Sequence, residues 1–149
     1  MYKHILVPTD GSALSNKAVE AAIKLAQLLG ARLTAFHAVE PMPLQGAYAA
    51  EASGVAELQP EIFAERSEEY ARRVLDAVRT AATAANVPCA TDYATSRSAS
   101  QAIVGKALKE NCDLIIMASH GRRGLEGFLL GSETQKVLTH SSIPVLVYR

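Results

Sequence analysis

The sequence predicts one doubly wound α/β domain, and three observations carry that expectation. Short apolar runs alternate with helical patterns from one end of the chain to the other. The runs are continuous, as expected for strands buried on both faces of a parallel sheet covered by helices. The length, 149 residues, suits a single domain spanning 1–149, since domains usually run roughly 100–200 residues.

Ile5 to Val7, Leu33 to Val39, Leu114 to Ala118 and Pro144 to Tyr148 are the continuous runs, and the more polar stretch from Cys89 to Thr95 reads as an edge strand. Between the first two runs, Ala18, Val19, Ala22, Ile23, Ala26 and Leu29 recur at helical spacing, with Lys17, Glu20, Lys24 and Gln27 on the other face. Ser15 can cap that helix and Gly30 can end it. Pro60 suits the first turn of a longer helix to about Ala85, with Phe63, Tyr70, Val74, Ala77, Val78 and Ala81 as its apolar stripe. A third helix runs from Ala99 to Glu110 with Ala102, Ile103, Ala107 and Leu108 facing inward, and a fourth starts near Ser132 and carries Val137 and Leu138. Residues 40–58 form the one long connection, either a surface loop, a frayed helical extension or a lid.

Composition narrows the function classes. Hydrophobic residues at 49% and charged residues at 20% exclude a disordered tail, a collagen-like repeat and a coiled coil. Fifteen Lys and Arg balance fifteen Asp and Glu, so no global field attracts nucleic acid or an anionic membrane, and any anion site must be local. Cys89 and Cys112 lie in or beside apolar segments, which favours structural thiols over a disulfide or a metal site. The opening apolar run is too short for a signal peptide and no segment has the length of a membrane span, so a cytoplasmic protein is expected.

In open parallel sheets the ligand crevice lies beyond the carboxyl ends of the strands, where the strand order reverses. The loop after the first strand, Pro8-Thr9-Asp10-Gly11-Ser12, borders that point. Asp10 can accept from a sugar hydroxyl, help hold a metal, or serve only as a turn residue. After the fourth strand comes Ala118 to Ser132, with four glycines between 121 and 131 beside Arg122 and Arg123. Such glycines let main-chain N–H groups approach an anion, and the helix opening at Gly131-Ser132 adds further donors. The arginines can grip phosphate or be solvated loop charges. Neither GxxxxGK[ST] nor a GxGxxG after the first strand is present, which disfavours a P-loop NTPase and a Rossmann dehydrogenase.

The opening ILVPTDGS, the segment MASHGRRGLEGFLLGS and the closing IPVLVYR resemble the universal stress protein family over the whole chain. Nucleotide-binding members carry glycine, two residues, glycine, nine residues, glycine, then serine or threonine; here Gly121, Gly131 and Ser132 match and Ala118 replaces the first glycine. The resemblance implies a five-stranded parallel sheet ordered 3-2-1-4-5 with ATP, AMP or ADP between strands 1 and 4. It places Pro8, Thr9 and Asp10 along the adenosine, Asp10 near the ribose or a Mg²⁺ carried with ATP, and Val39 at the adenine edge through its backbone. Met117, Ala118, Gly121, Arg122, Gly131, Ser132, Glu133 and Thr134 complete the nucleotide site, and no catalytic residue is assigned. A homodimer through the last strand and a downstream protein are further implications. The resulting function is an adenine-nucleotide-binding regulatory or sensor module of the stress response. Two alternatives stand beside it: a weak ATPase or phosphoryl-transfer enzyme using Asp10 and His120, and a nucleotide-free dimeric scaffold if Ala118 forbids the ligand.

Overall fold

The computed structural model of the chain describes residues 1–54, 59–121 and 130–149. Its strands are β1 (His4–Pro8), β2 (Arg32–Val39), β3 (Cys89–Thr95), β4 (Leu114–Ala118) and β5 (Val145–Tyr148). Its helices are α1 (Ala13–Leu29), α2 (Leu44–Ser53), α3 (Pro60–Ala84), α4 (Ala99–Lys109) and α5 (Ser132–His140). All strand pairs are parallel and the sheet order is β3-β2-β1-β4-β5, as expected.

Three of the four continuous apolar runs, in β2, β1 and β4, occupy the middle of the sheet, where helices cover it on both sides, whereas the fourth, β5, is a partly exposed edge strand. Every residue of β1 and of β4 is buried, whereas β3 at one edge alternates between half-buried and exposed. One core layer joins Ile5, Val7, Leu33 and Ile116 to Val19 and Ile23 of α1 and Leu75 and Val78 of α3. The opposite layer joins Leu6, Phe36, Ile115 and Met117 to Ile103 of α4 and Val137 of α5. The alternating direction of side chains along each strand divides them between the two layers.

The helix ends and buried faces follow the local sequence in part. Gly30 ends α1 in the left-handed region at φ 62°, as expected. The N-cap of α1 is Ser12, which accepts from the Ser15 backbone N–H, while Ser15 itself lies inside the helix and is buried. In its described part the connection after β2 contains α2, in keeping with the helical reading of that segment; its apolar residues are mostly exposed and its one buried residue is Ala50. On α3 the buried stripe is Ala71, Leu75, Val78 and Ala82; Ala77 and Ala81 face solvent, because the stripe is one residue out of phase with the one inferred from Tyr70 and Val74. Leu108 and Leu138 are likewise 52% and 40% exposed. Cys112 is buried and Cys89 half-buried, and burial pushes the Cys112 thiol up to about 11, so it remains a protonated packing group at neutral pH.

Candidate functional site

The strand order reverses at β1, which has β2 on one side and β4 on the other. Above its carboxyl end lies a crevice of about 920 Å³, a volume within the range typical of small-molecule sites. Pro8, Thr9, Asp10, Val39, Met117, Ala118, Gly121, Gly131, Ser132, Glu133 and Thr134 all line it. These residues come from widely separated parts of the sequence, and the fold brings them to one place. Arg122, with Arg123, Gly124, Glu126 and Gly127, lies outside the described residues.

The β1 loop is held by a short relay of hydrogen bonds. The Gly11 N–H donates to the Thr9 hydroxyl at 3.2 Å, that hydroxyl bonds Ser15 Oγ at 3.0 Å, and Ser15 Oγ donates to the Ser12 carbonyl at 3.1 Å. Asp10 Oδ1 accepts from the Ser12 N–H at 3.0 Å, forming an Asx turn. The Asp10 carbonyl accepts from the Tyr70 hydroxyl of α3 at 2.8 Å, which ties the loop to the crevice wall. Gly11 has φ +77°, and a Cβ there would stand 2.5 Å from Tyr70 Oη and 2.9 Å from Val74 Cγ2, so both backbone and space demand glycine.

The β4 side approaches equally closely. A Cβ on Gly121 would stand 2.6 Å from Asp10 Oδ2, so the missing side chain lets that carboxylate and the turn after β4 share the crevice floor. Gly131 donates to the Ser119 carbonyl at 2.8 Å, and Thr134 Oγ1 donates to the Ala118 carbonyl at 3.1 Å, fixing the start of α5 against β4. The N–H groups of Ser132, Glu133 and Thr134 precede the first intrahelical bond, from Gln135 to the Gly131 carbonyl, and form the donor end of α5. Ala118 is a strand residue and is absent from the positive-φ residues Asn86 and Asn111. Its methyl therefore replaces glycine without backbone strain.

Two expected residues have partners that limit what they offer a ligand. Glu133 accepts from the Ser100 N–H at 2.6 Å and pairs with Lys136 at 2.6 Å, so it caps α4 across the interhelical contact. Burial alone would raise its carboxyl, but the bonds from Lys136 and Ser100 outweigh that and hold it below the ordinary glutamate value. The Val39 carbonyl accepts from the Ser96 N–H at 2.9 Å, on the β3 side. The Phe36 carbonyl, three residues earlier, accepts from Thr9 on the β1 side. Parallel strands alternate the side to which successive residues turn their main-chain groups, which directs those of Ala38 towards the crevice where β1 has ended.

Sequence reasoning missed the wall made by α3 and β2. Phe63, Arg66, Ser67 and Tyr70 line the crevice from α3 at positions i, i+3, i+4 and i+7, joined by His37 from β2 and by Arg97 and Glu40 from the loops. His37 Nδ1 donates to the Thr9 carbonyl at 2.7 Å and its ring meets Tyr70 edge-on at 5.8 Å. The available signal was Arg66 and Ser67 lying between Phe63 and Tyr70: polar residues on that face do not continue a core stripe. Opposite this polar wall, Phe36, Ala38, Ala99, Ile103 and Met117 make an apolar one.

A model of the Universal stress protein family matches residues 1–149. A universal stress protein of Methanocaldococcus jannaschii is 35% identical over 149 residues, covering 100% of this chain and 83% of that protein. Among solved structures, hypothetical protein MJ0577 superimposes with a TM-score of 0.79 at 26% identity, covering 99% of this chain and 96% of that one. A universal stress protein solved in complex with cAMP superimposes with a TM-score of 0.69 at 25% identity, covering 99% of this chain and 97% of that one.

Proposed function

The chain belongs to the universal stress protein family, and from that premise we propose that its crevice binds an adenine nucleotide, ATP or its AMP and ADP relatives, as a regulatory module of the stress response. The observation that carries the reading is the convergence, at one topological switch point, of the Asp10 carboxylate and the donor end of α5. Asp10 accepts from a ribose hydroxyl, the amides of residues 132–134 meet phosphate oxygens, and the apolar wall around Ile103 and Met117 takes the base. Main-chain groups of Ala38 border the base, and Val39, whose carbonyl is held by Ser96, lines the crevice beside it. The neighbour solved with cAMP supports an adenine nucleotide as the ligand class.

Magnesium fits as a companion of the phosphates. Among the described residues no three His, Cys, Asp or Glu side chains stand together, and Mg²⁺ is commonly held by one or two carboxylates plus substrate phosphates. Asp10 is the carboxylate for that role.

A homodimer through β5 belongs to the same proposal. β5 is the outermost strand beside β4, and its Leu146 is 41% exposed; an exposed apolar edge strand invites pairing with a second copy. A cytoplasmic setting and a downstream protein partner complete the proposal, and among the described residues no helix is long and apolar enough to cross a membrane.

Mass spectrometry of the freshly purified, acid-denatured protein tests the ligand. Adenine nucleotide released in proportion to protein is expected. Protein that releases none and gives no calorimetric heat with ATP and Mg²⁺ would overturn the reading.

A further inference from the structure

The arginines of α3 differ in what they do. Arg72 bonds Glu68 at 3.3 Å and the Tyr93 hydroxyl at 3.1 Å, Arg79 pairs with Asp76 at 2.6 Å, and Arg73 lies over the Tyr70 ring at 5.7 Å. Arg66 makes no such contact among the described residues, and it is the arginine of this helix that lines the crevice. Its place is defined by its neighbours. It stands one helical turn before Tyr70, whose hydroxyl rests on the Asp10 carbonyl, and Asp10 Oδ2 in turn faces Gly121. One turn is about 5.4 Å of rise, within the span of an arginine side chain. Ser67 follows on the same wall with a hydroxyl that can share an anion's oxygens.

We propose that this face of α3 is the counter-charge for the nucleotide's phosphate tail, with Arg66 as the residue that makes the crevice discriminate by phosphate number. The inference rests on the adenine-nucleotide reading and adds to it a cation on the α3 side of the crevice. Guanidinium suits the role because its planar donors match phosphate oxygens in pairs, which an ammonium cannot reproduce. Adenosine engages the remainder of the crevice and does not use Arg66. AMP uses it weakly, and ADP and ATP use it fully.

Calorimetric titration of the wild type, Arg66→Ala and Arg66→Lys with adenosine, AMP, ADP and ATP separates these roles. Arg66→Ala is expected to weaken ATP by about 10-fold or more, the scale of one charge-assisted contact, and to change adenosine by less than about 2-fold. Arg66→Lys should recover only part of the loss, and the salt dependence of ATP binding should become shallower in Arg66→Ala. Arg66 is exposed, so both variants are expected to melt close to the wild type. Unchanged ATP affinity in Arg66→Ala, or an equal loss for all four ligands, would overturn the inference while leaving the adenine-nucleotide reading intact. A wild type that binds none of the four would overturn both.

Discussion

The two ends of the central strands carry the same residue types, a histidine, a threonine and an aspartate, and use them differently. At the amino end the set is closed. His4 Nδ1 donates to the Glu110 carbonyl at 3.1 Å, its Nε2 bonds the Thr34 hydroxyl at 2.8 Å, and Asp113 accepts from the Lys3 and His4 N–H groups at 2.8 and 3.0 Å. At the carboxyl end His37 and Thr9 are also bonded, but they surround a crevice, and Asp10 turns one oxygen to Ser12 and the other towards Gly121. Polar groups that satisfy one another inside a fold stabilise it, whereas those at the carboxyl end line a crevice. The difference teaches that residue type alone does not mark a site; the end of the strand does.

The largest expected effect strikes the carboxyl end. Gly11→Ala forces a left-handed backbone on alanine and drives its Cβ into Tyr70 and Val74. Denaturant unfolding should show a loss of roughly 3 kcal/mol, combining the backbone and overpacking terms. A loss below about 1 kcal/mol would mean that α3 moves aside easily.

The amino end should answer to pH instead. Burial, with help from the Arg32 charge, lowers the His4 pKa against the opposing pull of Glu110 and Asp113. The unfolded chain therefore takes up a proton near 6.5 that the folded protein resists, and stability falls as pH drops below 6.5 towards the folded value. His4→Gln should flatten that limb. Asp113 behaves oppositely in charge but alike in direction. Burial would raise it, but bonds from Lys3 and His4 hold it below its usual 3.8, so its contribution is present above that value and lost as pH falls through the folded pKa. Asp113→Asn should remove this lower limb and, by taking away the Asp113 pull on His4, extend the His4 limb to lower pH, read from melting temperatures across the pH range.

Two smaller effects return to the crevice. Tyr70→Phe removes the hydroxyl that holds the Asp10 carbonyl; a loss of about 1 kcal/mol in stability should accompany a several-fold weaker ATP affinity in calorimetry. Ala118→Gly is expected to be the mildest. Ala118 lies in β4 without positive φ, so glycine should cost about 0.5–1 kcal/mol of strand stability and leave ATP affinity within about 2-fold. A sharp gain in affinity would instead show that the methyl blocks the ligand.

Most of the fold was legible because buried parallel strands write themselves as continuous apolar runs, and Leu114 to Ala118 or Ile5 to Val7 admit no competing period. Helix faces were less legible. Alanine-rich α3 offers apolar residues on several sides, so Ala77 and Ala81 were indistinguishable in sequence from the buried Ala71 and Ala82. The same ambiguity concealed half of the crevice, because Phe63 and Tyr70 read as core residues until the sheet defined which turns of α3 extend past its edge. Asp10, Gly121 and Gly131 were legible since turn chemistry next to a strand's carboxyl end is local. The Glu133 bond to Ser100, 33 residues away, had no local signature at all.

Amide hydrogen exchange with and without ATP and Mg²⁺ tests the contrast between the two ends most directly. The account predicts slowed exchange at residues 9–12, at Gly121 and at residues 131–134, with Lys3, His4 and Asp113 unchanged. Equal exchange at the carboxyl end with and without the nucleotide, or protection confined to the amino end, would contradict it.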